Sequence, residues 1–383
     1  ARRAGQESII LLKNHQARLP LRRDLESMLV VGPLAHDNGA WWSRYGAQRL
    51  DFVTPLEGLR ARLGDQVTIR HVKGVDAKDE HWPMSDVLKE PPSEQVKHGI
   101  REAVEAAAEV DVIIAVMGET DELCRESASR ISLELPGYQQ ELLEALHATG
   151  RPVVLVLSSG RPLAVNWADR HIDAIVQMWF PGEDGGHALA DVLLGDYNPA
   201  GRLPVTVPRS VGQIPYNFPA RPGSQARDYG QVEGPLYPFG YGLSYTTFRY
   251  DQLHLSAETI GASDRVTVSC RITNVGTRAG DEVVQLYVRD DYTSVVNFDQ
   301  QLRGFTRLHL QPGESRTVEF TLKPEHLALF DANGQWRVEP GRFTVMVGAS
   351  SSDIRLHRGL LVTNREGQAP EEAPLADDWL DGR

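Results

Sequence analysis

The pattern of hydrophobic and polar positions changes character once along the chain. Through about the first 200 residues, short continuous apolar runs alternate with longer stretches of helical spacing. Runs 27–33, 67–72, 111–118, 153–157 and 172–178 read as strands, and 55–63, 94–109, 136–149 and 185–194 as helices. Strands without polar alternation are covered on both faces, so the pattern predicts an α/β fold with a mostly parallel sheet sandwiched between helices. Such sheets carry their ligand loops at the carboxyl ends of the strands. That rule selects the segments after Pro33, Gly118, Leu157 and Met178. From about 209 to 250 the chain is irregular and rich in Pro, Gly and Tyr. Beyond it, apolar residues recur at every second position. Val266, Val268, Cys270 and Ile272 make one row, Val283, Gln285 and Tyr287 a second, and Phe343, Val345 and Val347 a third. Turn signals such as Asn274-Val275-Gly276 separate the rows, which predicts a small antiparallel β-sandwich. The expected organisation is an α/β domain at 1–208, a linker at 209–250, the sandwich at 251–363 and a disordered acidic tail at 364–383.

The most heavily punctuated segment is 179–204, WFPGEDGGHALADVLLGDYNPAGRLP. A glycine turn, Gly182 to Gly186, leaves no room for large side chains, and Glu183 and Asp184 are placed to cap the helix that follows. Ala188, Leu189, Val192 and Leu193 share one face of that helix, and the turn Gly195 to Pro199 closes it. Further words in order along the chain are QESIILLKN at 6–14, LPL at 19–21, VVGPLA at 30–35 and YPFGYGLSY at 237–245. Together these resemble glycoside hydrolase family 3, the β-glucosidase and β-xylosidase family, and most of all its bacterial periplasmic members. The resemblance is collinear from about 1 to about 361. It implies that the sandwich is fibronectin type III-like and that the setting is periplasmic or secreted. It also implies a preceding catalytic (β/α)8 barrel of roughly 250 residues that holds the nucleophilic aspartate. Lys13 and Asn14 read as part of the entering helix, capping or clasping the interface with the missing barrel. The chain starts at Ala1 in what reads as mid-helix, so it is expected to be the C-terminal portion of a longer enzyme and inactive without the barrel.

Composition narrows the partners. With a formal net charge of -12 the chain is a poor ligand for nucleic acid or an anionic membrane. No apolar run approaches the ~20 residues that span a bilayer. The two cysteines, Cys124 and Cys270, fall in different expected domains, which argues against a disulfide, and they are too few for a structural zinc set. His36, His71, His147, His171 and His187 lack metal-ligand spacing, and nothing requires a cation at Asp37 and Asn38. No metal or cofactor is expected, and no phosphate-cradling glycine motif follows a strand.

Glycosidic cleavage needs one carboxyl that gives a proton and one that attacks or activates water. The loop GETDELCRESASR at 118–130 is the densest source, and spacing alone leaves Glu119, Asp121, Glu122 and Glu126 open. The resemblance singles out Glu126 as the acid/base, with Arg130 and Leu133-Glu134-Leu135-Pro136 behind it. Arg125 and Arg130 count against this, since cationic neighbours favour an ionised carboxyl whereas a general acid must carry a proton. The competing reading is a solvated acidic loop clasped by arginine. In the loop after the first strand, Trp41-Trp42-Ser43-Arg44-Tyr45 offers indole faces to sugar C–H patches. The resemblance makes Trp42 the wall of the leaving-group subsite and Tyr45 and Arg130 further substrate contacts; Trp41 itself reads as a plug of the domain interface. Arg161-Pro162 reads as a turn packed between domains. The leading expectation is a cofactor-free, retaining exo-β-glycosidase acting on oligosaccharides or aryl β-glycosides. The alternatives are β-xylosidase specificity or a non-catalytic carbohydrate-binding module. A homodimer is one arrangement in which segment 290–300 would reach an active-site rim.

Overall fold

The computed structural model describes residues 1–41, 51–223, 232 and 234–364. Trp42, Tyr45 and almost all of the expected tail lie outside the described residues. The first unit runs α1 (Arg2–Ser8), β1 (Ile10–Asn14), β2 (Ser27–Val31), α2 (Pro55–Leu63), β3 (Thr68–Val72), α3 (Glu94–Ala107) and β4 (Val112–Gly118). It continues with α4 (Asp121–Cys124), α5 (Gln139–Ala148), β5 (Val153–Ser158), α6 (Asn166–His171), β6 (Ala174–Gln177) and α7 (Gly185–Leu194). The sheet order is β1-β6-β5-β4-β2-β3, with β2 to β6 parallel and β1 antiparallel along the edge of β6.

Alternate side chains of each buried strand divide between two cores, the consequence of strand pleating. Val112, Ile114 and Val116 of β4 join Leu56 and Leu59 of α2 and Leu189 and Val192 of α7 on one face. Ile113, Ala115 and Met117 join Ala103 of α3 and Leu142 and Leu146 of α5 on the other. The helices α2 and α7 cross with backbone almost touching. A Cβ on Gly58 would lie 2.1 Å from the Gly186 carbonyl carbon, and one on Gly186 would lie 2.1 Å from the Thr54 oxygen. The glycine turn is therefore crowded at Gly185 and Gly186, whereas Gly182 is open in space and instead adopts a left-handed φ of +80°. Asp184 stands at the N-cap of α7, yet its carboxylate meets His187 Nδ1 at 2.5 Å and makes no capping bond, contrary to expectation.

Residues 10–14 correct the expected entering helix. The helix stops at Ser8, and Lys13 and Asn14 sit on the edge strand β1. Asn14 still clasps, but locally: its side chain exchanges two 2.8 Å hydrogen bonds with the backbone of Leu19.

The second unit is a sandwich. Its elements are β7 (Phe248–Leu255), β8 (Thr259–Gly261), β9 (Val266–Asn274), β10 (Gly280–Asp290), β11 (Gln301–Leu310), β12 (Ser315–Leu322) and α8 (Pro324–Leu327). After these come β13 (Leu329–Phe330), β14 (Trp336–Arg337), β15 (Gly341–Gly348) and β16 (Ile354–Thr363). Sheets β11-β10-β15-β16-β8 and β12-β9-β7 enclose the expected rows on β9 and β15. On β10 the expected row is out by one: Val284, Leu286 and Val288 face the core. Gln285 and Tyr287 point the other way and are buried under segment 209–250, where Gln285 Nε2 donates to the Gly240 carbonyl at 3.0 Å and Phe218 meets the Tyr287 ring edge-on at 5.8 Å. That segment also fastens the two units together. Leu243 donates from its backbone to Leu11 at 2.8 Å, Tyr241 to the Leu12 carbonyl at 3.0 Å and Tyr245 to the Val192 carbonyl at 2.8 Å. Segment 290–300 is held against the sandwich and the linker, Asp299 donating from its backbone to Ala220 at 2.9 Å.

Two outcomes follow from this packing. Gly58→Ala should destabilise the chain by about 1–3 kcal/mol, since two helix backbones must part to admit a methyl group; an unchanged urea midpoint would show that they part freely. Asp290, at the end of β10, is raised to about 7 by burial and by the charges of Glu339 and Asp291. Its folded value exceeds the unfolded one, so the stability it contributes is complete below the ordinary aspartate range and is lost as pH rises through about 7. Urea midpoints should accordingly fall between pH 5 and 8, by up to about 1.4 kcal/mol per unit from this group. Asp290→Asn should flatten that part of the profile.

Candidate active site

The carboxyl ends of β2, β4, β5 and β6 are stitched into one surface. At the end of β4, Gly118 has φ +135° and its α-carbon runs so close to Ser158 that a Cβ would lie 2.0 Å from the Ser158 oxygen. The fully buried Gln139 fixes Gly118 from the other side, accepting from its N–H at 2.8 Å and donating to its carbonyl at 2.9 Å. Trp41 donates from its indole to Ser158 Oγ at 2.8 Å, and Ser158 donates to the Trp179 carbonyl at 3.0 Å. Trp41 was expected to plug the domain interface and instead lies inside the α/β core against Phe52. The backbone of Asp121 donates to the Ala40 carbonyl at 2.9 Å, which ties the start of α4 to the segment after β2.

The four carboxylates of that loop have separate environments. Glu119 is 0% exposed. Its Oε1 lies 3.1 Å from Arg130 Nη1 and its Oε2 3.3 Å from Arg161 Nε. Burial pushes the Glu119 carboxyl above its ordinary value, while the charges of Arg161 and Arg130 pull it back. Asp121 opens the short helix α4, and the exposed Glu122 pairs with Lys78 at 2.6 Å. Glu126 is exposed at the outer turn of the loop. Next to it Ser127 has φ +63°, a left-handed conformation that costs a non-glycine residue about 1–2 kcal/mol.

Arg130, expected to touch substrate, has a side chain only 1% exposed. It reaches Asp86 at 3.3 Å, Glu119 at 3.1 Å and the Glu134 carbonyl at 3.0 Å. Arg161 was expected between domains and instead belongs to this loop. Its Nη2 donates to the Leu123 carbonyl at 2.9 Å and to the Ala128 carbonyl at 3.2 Å, on either side of Glu126. The contributions of Arg161 and Asp86 were not visible in the sequence, because both come from elements far along the chain. Cys124 and Cys270 are free thiols. Burial raises the Cys124 thiol, and the nearby Glu119 charge adds to the rise, which leaves it a weak nucleophile.

The arrangement is a carboxylate exposed on a loop whose base is pinned by buried ion pairs. Comparison with known proteins agrees with the architecture. Residues 9–245 match the family model for the glycosyl hydrolase family 3 C-terminal domain, and 282–351 match the fibronectin type III-like domain. A periplasmic β-glucosidase of Salmonella typhimurium is 41% identical over 376 residues, covering 93% of this chain and 49% of its own length. A β-xylosidase of Formosa agariphila is 40% identical over 358 residues, covering 91% and 47%. The solved structure of a β-glucosidase from Erythrobacter marinus superposes with a TM-score of 0.87 at 37% identity over 94% of this chain and 50% of that one. A Listeria innocua β-glucosidase in complex with glucose does so with a TM-score of 0.83 at 30% identity, over 94% and 49%. The chain spans about half the length of the curated relatives it matches. In motif order, in fold and in the match across its α/β unit, this chain belongs to glycoside hydrolase family 3.

Proposed function

We propose that the chain supplies the acid/base and the leaving-group subsite of a retaining, exo-acting β-glycosidase of β-glucosidase type. It would act on terminal β-D-glucosyl residues of oligosaccharides or on aryl β-glycosides, in a periplasmic or secreted setting. The observation that carries this reading is the sorting of the four loop carboxylates. Glu119 is buried between guanidinium groups and Asp121 is part-buried where it opens a helix; Glu122 and Glu126 are both exposed, and Glu126, at the turn, is the one the family resemblance selects. A proton donor must reach the glycosidic oxygen and then reach water, so it belongs on an accessible tip. The nucleophilic aspartate belongs to a barrel on the longer polypeptide. As that aspartate attacks the anomeric carbon, Glu126 gives its proton to the departing oxygen. It then takes a proton from the water that hydrolyses the glycosyl-enzyme. By the family resemblance Trp42 and Tyr45, which lie outside the described residues, would contact the leaving group. Arg130 acts from beneath as a positioning residue, not as a contact to sugar. β-Xylosidase specificity is the second reading, favoured by the 40% identity with the Formosa agariphila enzyme.

In a chain carrying its barrel, Glu126→Gln should slow substrates with poor leaving groups by about 10²–10⁴-fold and activated aryl glycosides far less. Equal loss on both classes would remove the assignment. Arg161→Lys keeps a charge near Glu119 but loses the planar fork that reaches two carbonyls at once. Amide exchange across 122–130 should quicken in that variant while β5 stays protected; unchanged exchange would mean that Arg161 does not hold the loop.

A further inference from the structure

The sandwich carries two large aromatic side chains that are exposed. Phe330 and Trp336 are 55% and 72% exposed, and they are direct cross-strand partners on the β13–β14 hairpin. Their ring centroids are 5.5 Å apart and the planes are inclined at 59°. The hairpin beneath them is built to hold still. Asp331, buried, accepts from the backbone N–H groups of Asn333 at 2.8 Å and Gln335 at 3.0 Å. The Asp331 and Gln335 backbones also pair at 2.9 Å. Arg337 lies 3.3 Å from Asp331 and donates to Glu339 at 2.9 Å. Leu329, 3% exposed, anchors the first strand in the protein.

Exposed aromatics on a fixed support call for an occupant. We propose that this hairpin is a non-catalytic binding platform for a neutral glycan chain. Two observations select that occupant. First, Arg337, the cationic side chain of the hairpin, is paired with Asp331 and Glu339, so the hairpin offers no free cation to an anionic partner. Sugar rings match such a hairpin, stacking their C–H surfaces on the aromatics, and the adjoining turn exposes Asn333 and Gln335. Second, two side chains cover far less than the roughly 800 Å² per partner that a stable protein interface needs, which argues against a second copy of the chain. The inclination of the rings adds a preference. Planes 59° apart suit consecutive sugars of a twisting soluble chain and not the flat face of a crystalline one.

Affinity electrophoresis of the chain in native gels cast with soluble β-glucan or xylan tests this, and it needs no turnover, so its outcome is independent of the assignment of Glu126. The wild-type chain should be retarded by at least one of the two polysaccharides. Trp336→Ala should weaken that retardation at least tenfold and Phe330→Ala several-fold. Trp336→Phe should keep part of it, and Met84→Ala, which removes an exposed apolar side chain from the other unit, should leave it unchanged. Both ring residues lie largely in solvent, and a retained thermal midpoint will separate lost binding from lost folding. No retardation of the wild type, or equal retardation of Trp336→Ala, overturns the proposal. So does a doubled solution mass that Trp336→Ala abolishes, because the rings would then be a contact between copies.

Discussion

The buried carboxylate of Glu119 is the constraint on which the site depends. It follows Gly118 at the end of β4, where the backbone passes too close to β5 for a side chain, so it has nowhere to go but inward. Two arginines meet it there, Arg130 from the far end of the loop and Arg161 from the exit of β5. Removing one partner of a buried pair leaves an uncompensated charge, commonly worth about 3–5 kcal/mol, whereas the intact pair adds little net stability. The network is therefore better understood as a device for fixing shape. Arg130 gathers Asp86 and the Glu134 carbonyl, and Arg161 gathers the carbonyls of Leu123 and Ala128. A loop of mostly polar residues, which would otherwise be solvated and variable, is closed at both ends.

Much of the frame was legible in the chain itself. The strands β2, β4 and β5 and the helices α2 and α7 coincide with simple patterns, because burial on both faces demands uninterrupted apolar runs and glycine marks the crossing of α2 and α7. Where the reading failed, the deciding partner was remote. The run at Ile10 to Leu12 is apolar enough for helix or strand, and only the free edge of β6 makes it a strand. On β10, burial on both faces erased the alternation that would have fixed the register, and the linker covering Gln285 and Tyr287 decided it. The exposed pair on the sandwich escaped notice for a similar reason. Phe330 and Trp336 are separated by a polar turn and come together only through the hairpin.

The two units are joined by more than a tether. Glu282 of β10 is buried at the junction, where it accepts from Arg202 and from the Tyr250 hydroxyl, both at 3.1 Å. Arg307 of β11 lies 2.6 Å from Asp281 and 3.4 Å from Glu7 of α1. Together with the tyrosines of the linker, these contacts tie the sandwich to the helix that opens the α/β unit and to its edge strand. Among the described residues, no helix is long and apolar enough to cross a membrane.

The sequence raised one physical objection to Glu126, that its arginine neighbours would hold a carboxyl ionised. The geometry answers it for one of the two, Arg130, while Arg125 stays exposed beside Glu126. The charge of Arg130 is turned inward and met by two carboxylates, Asp86 and Glu119. Arg161 faces Glu119 with its Nε and directs its Nη2 to backbone carbonyls. A buried carboxylate thus does two jobs, holding the guanidinium groups in place and balancing their charge beneath the exposed turn. The left-handed Ser127 beside Glu126 fits the same division of labour, since an unfavourable turn persists only where its flanks are over-determined. The loop is thus pinned at its base by buried ion pairs and exposed at its tip.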